Sequence, residues 1–389
     1  MKTAFVLLAV LAVAAAAMPA RLPARAQGGE PITAENADQV ALITTLDAPA
    51  SVLTLDVEFN PAGTVLATSN WDVTDRGGAS VVWLWNLDDF SSIARLTDHP
   101  WPVISMVFTP NSNRLFTAGI SLENESNPIR MWNGRTGVGQ AVLEGHTWTV
   151  PSMAMRDDGA VLASASWDRT VRLWNGFTGE ALTVLEGHAD DVLAVDFSAI
   201  GALASASSDG SIWLWNSVSG IVINIFLGHT GDVNAIDFAP DGATLASGSR
   251  DATVRLWNVE TGETLIMLET SGPVHDVRYS PDGAILVALD ENGLIWLWDA
   301  ASGDALSVPL ERADPNVPLV FSPDGSLLAS AAPDGAIQLW DVAAAGLAAT
   351  LEGHSDGETG QVYTLAFSPD GSLLASGGSD GPAKLWGVP

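Results

Sequence analysis

Residues 228–258 read GHTGDVNAIDFAPDGATLASGSRDATVRLWN, and nearly every segment after residue 40 is a variation on that stretch. It holds three short runs in which apolar and polar residues alternate: Val233 to Phe238, Thr244 to Ser249, and a third that ends in Leu256-Trp257-Asn258. Alternation with a period of two marks strands with one buried side. A Pro-Asp-Gly turn separates the first run from the second, and an Asp-bearing turn separates the second from the third, so each connection carries residues suited to a tight reversal. The stretch is a repeat unit. A single unit of this kind cannot bury its own apolar surface, so the chain has to stack several.

The third run recurs as Trp85-Asn86, Trp132-Asn133, Trp174-Asn175, Trp215-Asn216, Trp257-Asn258, Trp298-Asp299, Trp340-Asp341 and Trp386-Gly387. Successive gaps are 47, 42, 41, 42, 41, 42 and 46 residues. A period of about 40 to 45 residues, with four short strands per unit, predicts propeller blades. Eight endings predict eight blades.

The unit resembles the WD40 repeat over residues 40–389. The resemblance implies an all-β, eight-bladed WD40-type β-propeller in which each blade's outermost strand comes at the start of the following repeat. The last blade then lacks its own outer strand. Residues 40–46 alternate like a strand and are the spare piece that closes the ring, which removes two exposed sheet edges without a disulfide.

The His, Ser, Asp and Trp residues fall into sets with fixed offsets: His146, Ser164, Asp168 and Trp174; His188, Ser205, Asp209 and Trp215; His229, Ser247, Asp251 and Trp257; His354, Ser376, Asp380 and Trp386. They match the buried tetrad of WD repeats, which implies that Asp orients His, His meets Ser, and Ser meets the indole N–H. A catalytic triad needs one unique, exposed set beside an oxyanion site, and four near-identical copies argue for structure instead. His99, Thr117 and Trp132 form a partial set. The sixth and seventh units lack the His, and the sixth has Ala288 and Asn292 for Ser and Asp, so these blades are expected to be the softest of the ring. His275, outside the pattern, is expected in the core or facing the channel.

The chain opens with MKTAFVLLAVLAVAAAAMPARLPARA, a basic start, an apolar run from Ala4 to Ala17 and small residues before Gln27. Residues 1–26 therefore read as a cleaved secretory signal, too short in its apolar part for a membrane span. Residues 27–39 read as a linker or loosely held arm. No later run is long and apolar enough to cross a bilayer, and a secreted, periplasmic or cell-surface location is expected. With no cysteine, disulfides, thiolate chemistry and Cys-based metal sites are excluded. The formal charge is −30, and removing the signal leaves 13 basic residues against 46 acidic, a net of −33. Such a surface repels nucleic acid and anionic lipid and favours cationic partners.

Three loops depart from the repeat: Asn70 to Ser80, Gly119 to Asn127, and His354 to Gln361. They belong to blades one, two and eight, which are neighbours in a closed ring. Trp71, Trp101, Trp148 and Trp167 lie on the same set of loops, where no core position awaits them, and aromatic side chains suit a binding surface. Trp83, Trp213 and Trp296, two residues before a strand-ending Trp, read as packing residues. Asp72, Asp75, Glu123, Glu125, Asp356 and Glu358 surround the loop Trp residues. The expected function is a non-catalytic interaction scaffold, a monomer without cofactor, holding a protein or a cationic or amide-rich peptide on blades eight, one, two and three. The alternative is a channel-based enzyme or a propeller that binds a small ligand or metal. No phosphate loop, zinc helix or nucleophile elbow supports it, the quinoprotein Trp spacing is absent, and no loop has EF-hand spacing for calcium.

Overall fold

Strands whose two faces are both apolar have to be covered on both sides, and a ring of radially stacked sheets does this without leaving a terminal layer. The computed structural model describes residues 29–48, 52–72, 80–121, 126, 128–310, 313–354 and 360–389. It has eight antiparallel sheets. In order they are blades one to eight, spanning residues 52–99, 103–143, 152–186, 192–227, 233–269, 274–310, 320–351 and 362–387. The first strands of neighbouring blades touch one another around the axis, and the chain runs outward through each sheet.

The core is a series of wedges between blades. In one, Ile212, Leu214 and Phe226 of blade four meet Ile236, Leu245 and Trp257 of blade five. Others of the same kind fill the neighbouring gaps.

The N-terminal strand Ala41–Thr45 pairs antiparallel with the last strand, Gly381–Gly387, placing Leu42 against Trp386 and Thr45 against Lys384. Leu46 N–H extends the ladder to Ala383 O at 2.9 Å. The expected closure is therefore present, with the first and last segments of the propeller sharing one sheet.

The segment before it differs from the expected loose arm. Ile32 is fully buried and Ala37 nearly so, in the cluster that joins blades seven and eight. Ile32 N–H donates to Gly371 O at 2.9 Å, and Asn36 Oδ1 accepts from Thr33 N–H at 2.8 Å to close a turn leading into the short 3-10 helix Ala37–Gln39. Two apolar side chains spaced among polar ones give no periodic signal, yet they suffice to dock the arm. Residues 1–28 lie outside the described residues.

All four full tetrads form. His146 Nδ1 is 2.8 Å from Asp168, its Nε2 is 2.7 Å from Ser164 Oγ, and Trp174 Nε1 donates to Ser164 at 2.9 Å. The sets on His188, His229 and His354 repeat this geometry. Burial pushes the Asp168 carboxyl up, but bonds from His146, Thr170 and Thr147 N–H outweigh it and hold the group below the usual carboxylate range. Burial pushes the His146 and His229 imidazoles down, which keeps them neutral between their partners. The glycine before each His has a steric reason: a Cβ at Gly145 would strike the Arg172 guanidinium, and one at Gly187 the Trp213 indole.

Elsewhere the set is replaced. His99 still meets Thr117 Oγ1 at 2.8 Å, and Trp132 donates to Thr117, but Ser126 stands where the Asp would be. In blade one a chain runs from Trp85 Nε1 to Thr68, Asn70 and Thr54. In blade six Asp290 accepts from Trp296 Nε1 at 2.9 Å and from Ser271 Oγ at 2.6 Å. That blade has three strands, and residues 305–310 touch the third, Ile295–Asp299, at two isolated bridges only. The first strand of blade seven shrinks to Val320–Phe321. The weakest ladders thus fall in blades six and seven, which lack the His, whereas blade one lacks it too and keeps the long strands Val52–Phe59 and Val65–Asp72.

Two outcomes follow. Deleting residues 40–46 exposes a sheet edge and removes the buried Leu46, and the melting temperature should drop sharply in a thermal melt; an unchanged melt would refute closure by this strand. His229→Ala should lower unfolding free energy by about 1 to 3 kcal/mol in urea titration, because Asp251 and Ser247 lose a buried partner.

Candidate docking site at the channel mouth

The inner strands end at one face of the ring, beside the loops that carry the tetrad His and Asp residues. There Leu55, Ile104 and Ile120 are buried together, and Leu53, Trp71, Trp167 and Tyr363 pack on them half-buried. The cluster draws on blades one, two, three and eight. Trp167 is fixed by its N–H to Thr149 O at 3.1 Å, and the ring of Trp148 lies 6.5 Å from it at 56°. Trp148 is 38% exposed, which leaves one aromatic face open to solvent. The indole N–H groups of Trp71 and Trp167 are buried with no acceptor among the described residues.

Three of the four expected tryptophans therefore converge. Trp101 sits half-buried between blades one and two and takes no part in the cluster. Asp72 is half-buried at the end of the strand Val65–Asp72. Asp75, Glu123, Glu125, Asp356 and Glu358 lie outside the described residues. Beside blade one is a cavity of about 540 Å³ lined by Asp47, Val52, Asn70, Asp72, Trp83 and Arg95 among others. Trp83 stacks on Trp85 with centroids 5.5 Å apart, the expected packing role, and Arg95 covers it at 5.8 Å.

The other half of the mouth is charged. Asp190, Asp191 and Asp232 stand on blades four and five with Arg169 and Arg250 near them. Burial, then Asp190 and Asp232, push the Asp191 carboxyl up to about 6. His275 belongs here, half-buried near Glu291, Arg250 and Asp276.

Below the mouth, carboxyls on the inner strands tie one blade to the next. Phe238 N–H donates to Asp196 at 2.9 Å, Tyr279 N–H to Asp237 at 2.7 Å, and Leu319 N–H to Asp276 at 2.9 Å. Arg278 pairs with Asp276 at 3.0 Å. One guanidinium faces several buried carboxyls, and burial without a cation of its own favours a carboxyl's protonated form. Burial raises Asp196 to about 6, and burial together with the Asp196 charge raises Asp237 to about 8. Asp56, buried and bonded to Met106 N–H and Thr364, is likewise raised to about 8 by burial. None of Asp56, Asp196, Asp237, Asp276 and Arg278 was singled out from sequence. The available signal was an acid between two core residues, as in Ile236-Asp237-Phe238.

These carboxyls ionise near pH 4 in the unfolded chain. Between about pH 4 and pH 8 the folded chain holds protons that the unfolded chain has lost, so their contribution to stability declines as pH rises through that window and is constant above it. Asp237→Asn stays neutral throughout. Its unfolding free energy in urea, relative to wild type, should gain at least about 1 kcal/mol between pH 5 and pH 8.5; a gap independent of pH would refute the assignment.

The WD domain, G-beta repeat model matches residues 137–175, 179–216, 220–258, 262–299, 319–341 and 346–386. The matched units end at or next to the Trp residues that close each third strand. Blades one and two, whose polar sets are replaced or incomplete, are the part that it leaves unmatched. No curated protein sequence matches the chain. Among solved structures, the crystal structure of the computationally designed Ika8 protein superposes with a TM-score of 0.73 at 22% identity, covering 90% of this chain and 100% of that one. That likeness bears on fold alone. With the repeat model spanning more than half of its length, and eight sheets carrying the repeat's strand order, the chain belongs to the WD40 repeat family.

Proposed function

We propose that this propeller is a non-catalytic protein-interaction scaffold, exported by its N-terminal signal, that holds its partner at the channel mouth over blades eight, one, two and three. The observation that carries this reading is the aromatic cluster of Trp71, Trp167 and Tyr363 with the exposed ring of Trp148 upon it. Trp148 presents an open aromatic face, and covering it with a partner removes apolar area from water at little cost in torsional freedom. The rest of the ring is rigid and repetitive, which suits it to present such a surface.

The carboxylates of the opposite half of the mouth and the chain's net charge favour a cationic segment. A partner with alternating basic and apolar side chains meets both halves at once. The His, Ser and Asp groups that resemble a hydrolase triad are buried within blades and repeated four times, which supports a structural role.

The test is a pull-down from extracellular and envelope fractions with wild type and with Trp148→Ala. Because Trp148 is the exposed member, the variant should melt like wild type and yet lose the partner. Equal recovery with both would move the site away from this mouth.

A further inference from the structure

The longest uncharged stretch of this acidic chain lies within a single blade. From Gly210 to Gly231 there is no Asp, Glu, Lys or Arg, and this window forms the outer half of blade four. Its edge strand, Val222–Leu227, carries Ile223, Ile225 and Leu227 at 52%, 38% and 72% exposure, with Ile221 just before it at 66%. Among the described residues, no other blade exposes as many large aliphatic side chains.

Several other outer edges are guarded, and the uncharged strands Gly139–Leu143, Gly346–Leu351 and Ala41–Thr45 expose fewer large aliphatic side chains. Blade three's Ala181–Glu186 lies between Glu180 and Glu186, and blade five's Thr264–Glu269 between Glu263 and Glu269. Blade one's Ser92–His99 contains Arg95 and Asp98, and blade six has Pro309 where its fourth strand would run. Charges, proline and interrupted ladders are the devices that keep sheet edges from pairing. Blade four lacks them, apart from Asn224, whose Oδ1 accepts from Ile225 N–H at 2.8 Å.

We propose that the chain forms a homodimer by antiparallel pairing of the blade-four edge with the same edge of a second copy. The occupant follows from charge and symmetry. Two copies of a chain with a net charge of −30 repel over most of their surface, and they approach most cheaply where neither carries charge. A two-fold axis at Ile225 sets Ile225 against its own copy and Ile223 against Leu227, so aliphatic meets aliphatic at every outward position. Blade four then becomes half of an eight-stranded sheet.

The pairing has a functional consequence. The strand Val222–Leu227 runs from the turn at Val218 toward the Gly228-His229 loop on the docking face. An antiparallel copy runs the other way, so the two channel mouths open on opposite sides of the assembly. Such a dimer is a bridge with two docking ends.

The chain has no cysteine, so Ile225→Cys introduces a single thiol on the proposed axis. Facing Cα atoms in an antiparallel pair are about 4.5 to 5.5 Å apart, within disulfide range. Under mild oxidation the Ile225→Cys protein should become a disulfide-linked dimer, and Leu265→Cys, more exposed on the outer strand of blade five, should remain monomeric. Sedimentation equilibrium of the full chain should give a dimer for wild type, and Ile225→Lys, which places like charges opposite each other, should weaken association by about tenfold or more with an unchanged melt. The proposal is overturned by a monomeric wild type at about 100 μM, by a dimer that survives Ile225→Lys, or by equal cross-linking of the two cysteine variants.

Discussion

The ring depends on polar side chains of one inner strand reaching the backbone of the next. Apolar wedges alone let neighbouring sheets slide, since dispersion and burial have no direction. A hydrogen bond from Phe238 N–H to Asp196, or from Tyr279 N–H to Asp237, fixes height and rotation between blades. Thr364 Oγ1 accepts from Val57 N–H across the junction of blades eight and one, so the closing blade is registered by the same device. Within a blade the tetrads do the equivalent work, pinning the loop that carries His to the third strand that carries Trp.

These bonds explain why the architecture was legible and the channel was not. Alternation in Val233 to Phe238 reads as one buried and one solvated side, and the strand bounds follow it closely. In a propeller, however, both sides of an inner strand face other blades. Asp237 occupies a position that the alternation assigns to water, and the ring buries it. Sequence periodicity reports local geometry and carries no information on what a second blade covers. The arm at residues 29–39 escaped for a related reason, because Ile32 and Ala37 dock by tertiary contact without any repeating pattern. The loop tryptophans were found as residues without a core place, but only the folded ring brings Trp71 and Trp167 together from blades one and three.

Regularity and departure from the repeat are divided around the ring. Blades three to five carry complete tetrads, short turns and a mouth rimmed by charged groups. Blades one and two replace or truncate the tetrad and supply Trp71 and the aliphatic floor of the mouth, Leu53, Leu55, Ile104 and Ile120, beneath the tryptophans of blade three. Blades one and two combine the loss of the His–Asp pair with longer loops, whereas blade eight keeps its tetrad and still has an extended segment from His354 to Gln361. In blade one Asn70 bridges Thr68 and Thr54, so the indole of Trp85 is still satisfied after the His is gone. Polar satisfaction is kept while the loop departs from the repeat.

Charge completes the division. A strongly acidic surface keeps a repeat protein soluble, yet it also opposes every contact with an acidic neighbour. Docking must therefore occur where carboxylates recruit a cation or where charge is absent. The mouth offers the first condition beside its aromatic half, and the outer half of blade four offers the second. Because the two surfaces lie on different sides of the molecule, engagement of one leaves the other free, and a rigid ring held by inner-strand hydrogen bonds fixes the distance between them.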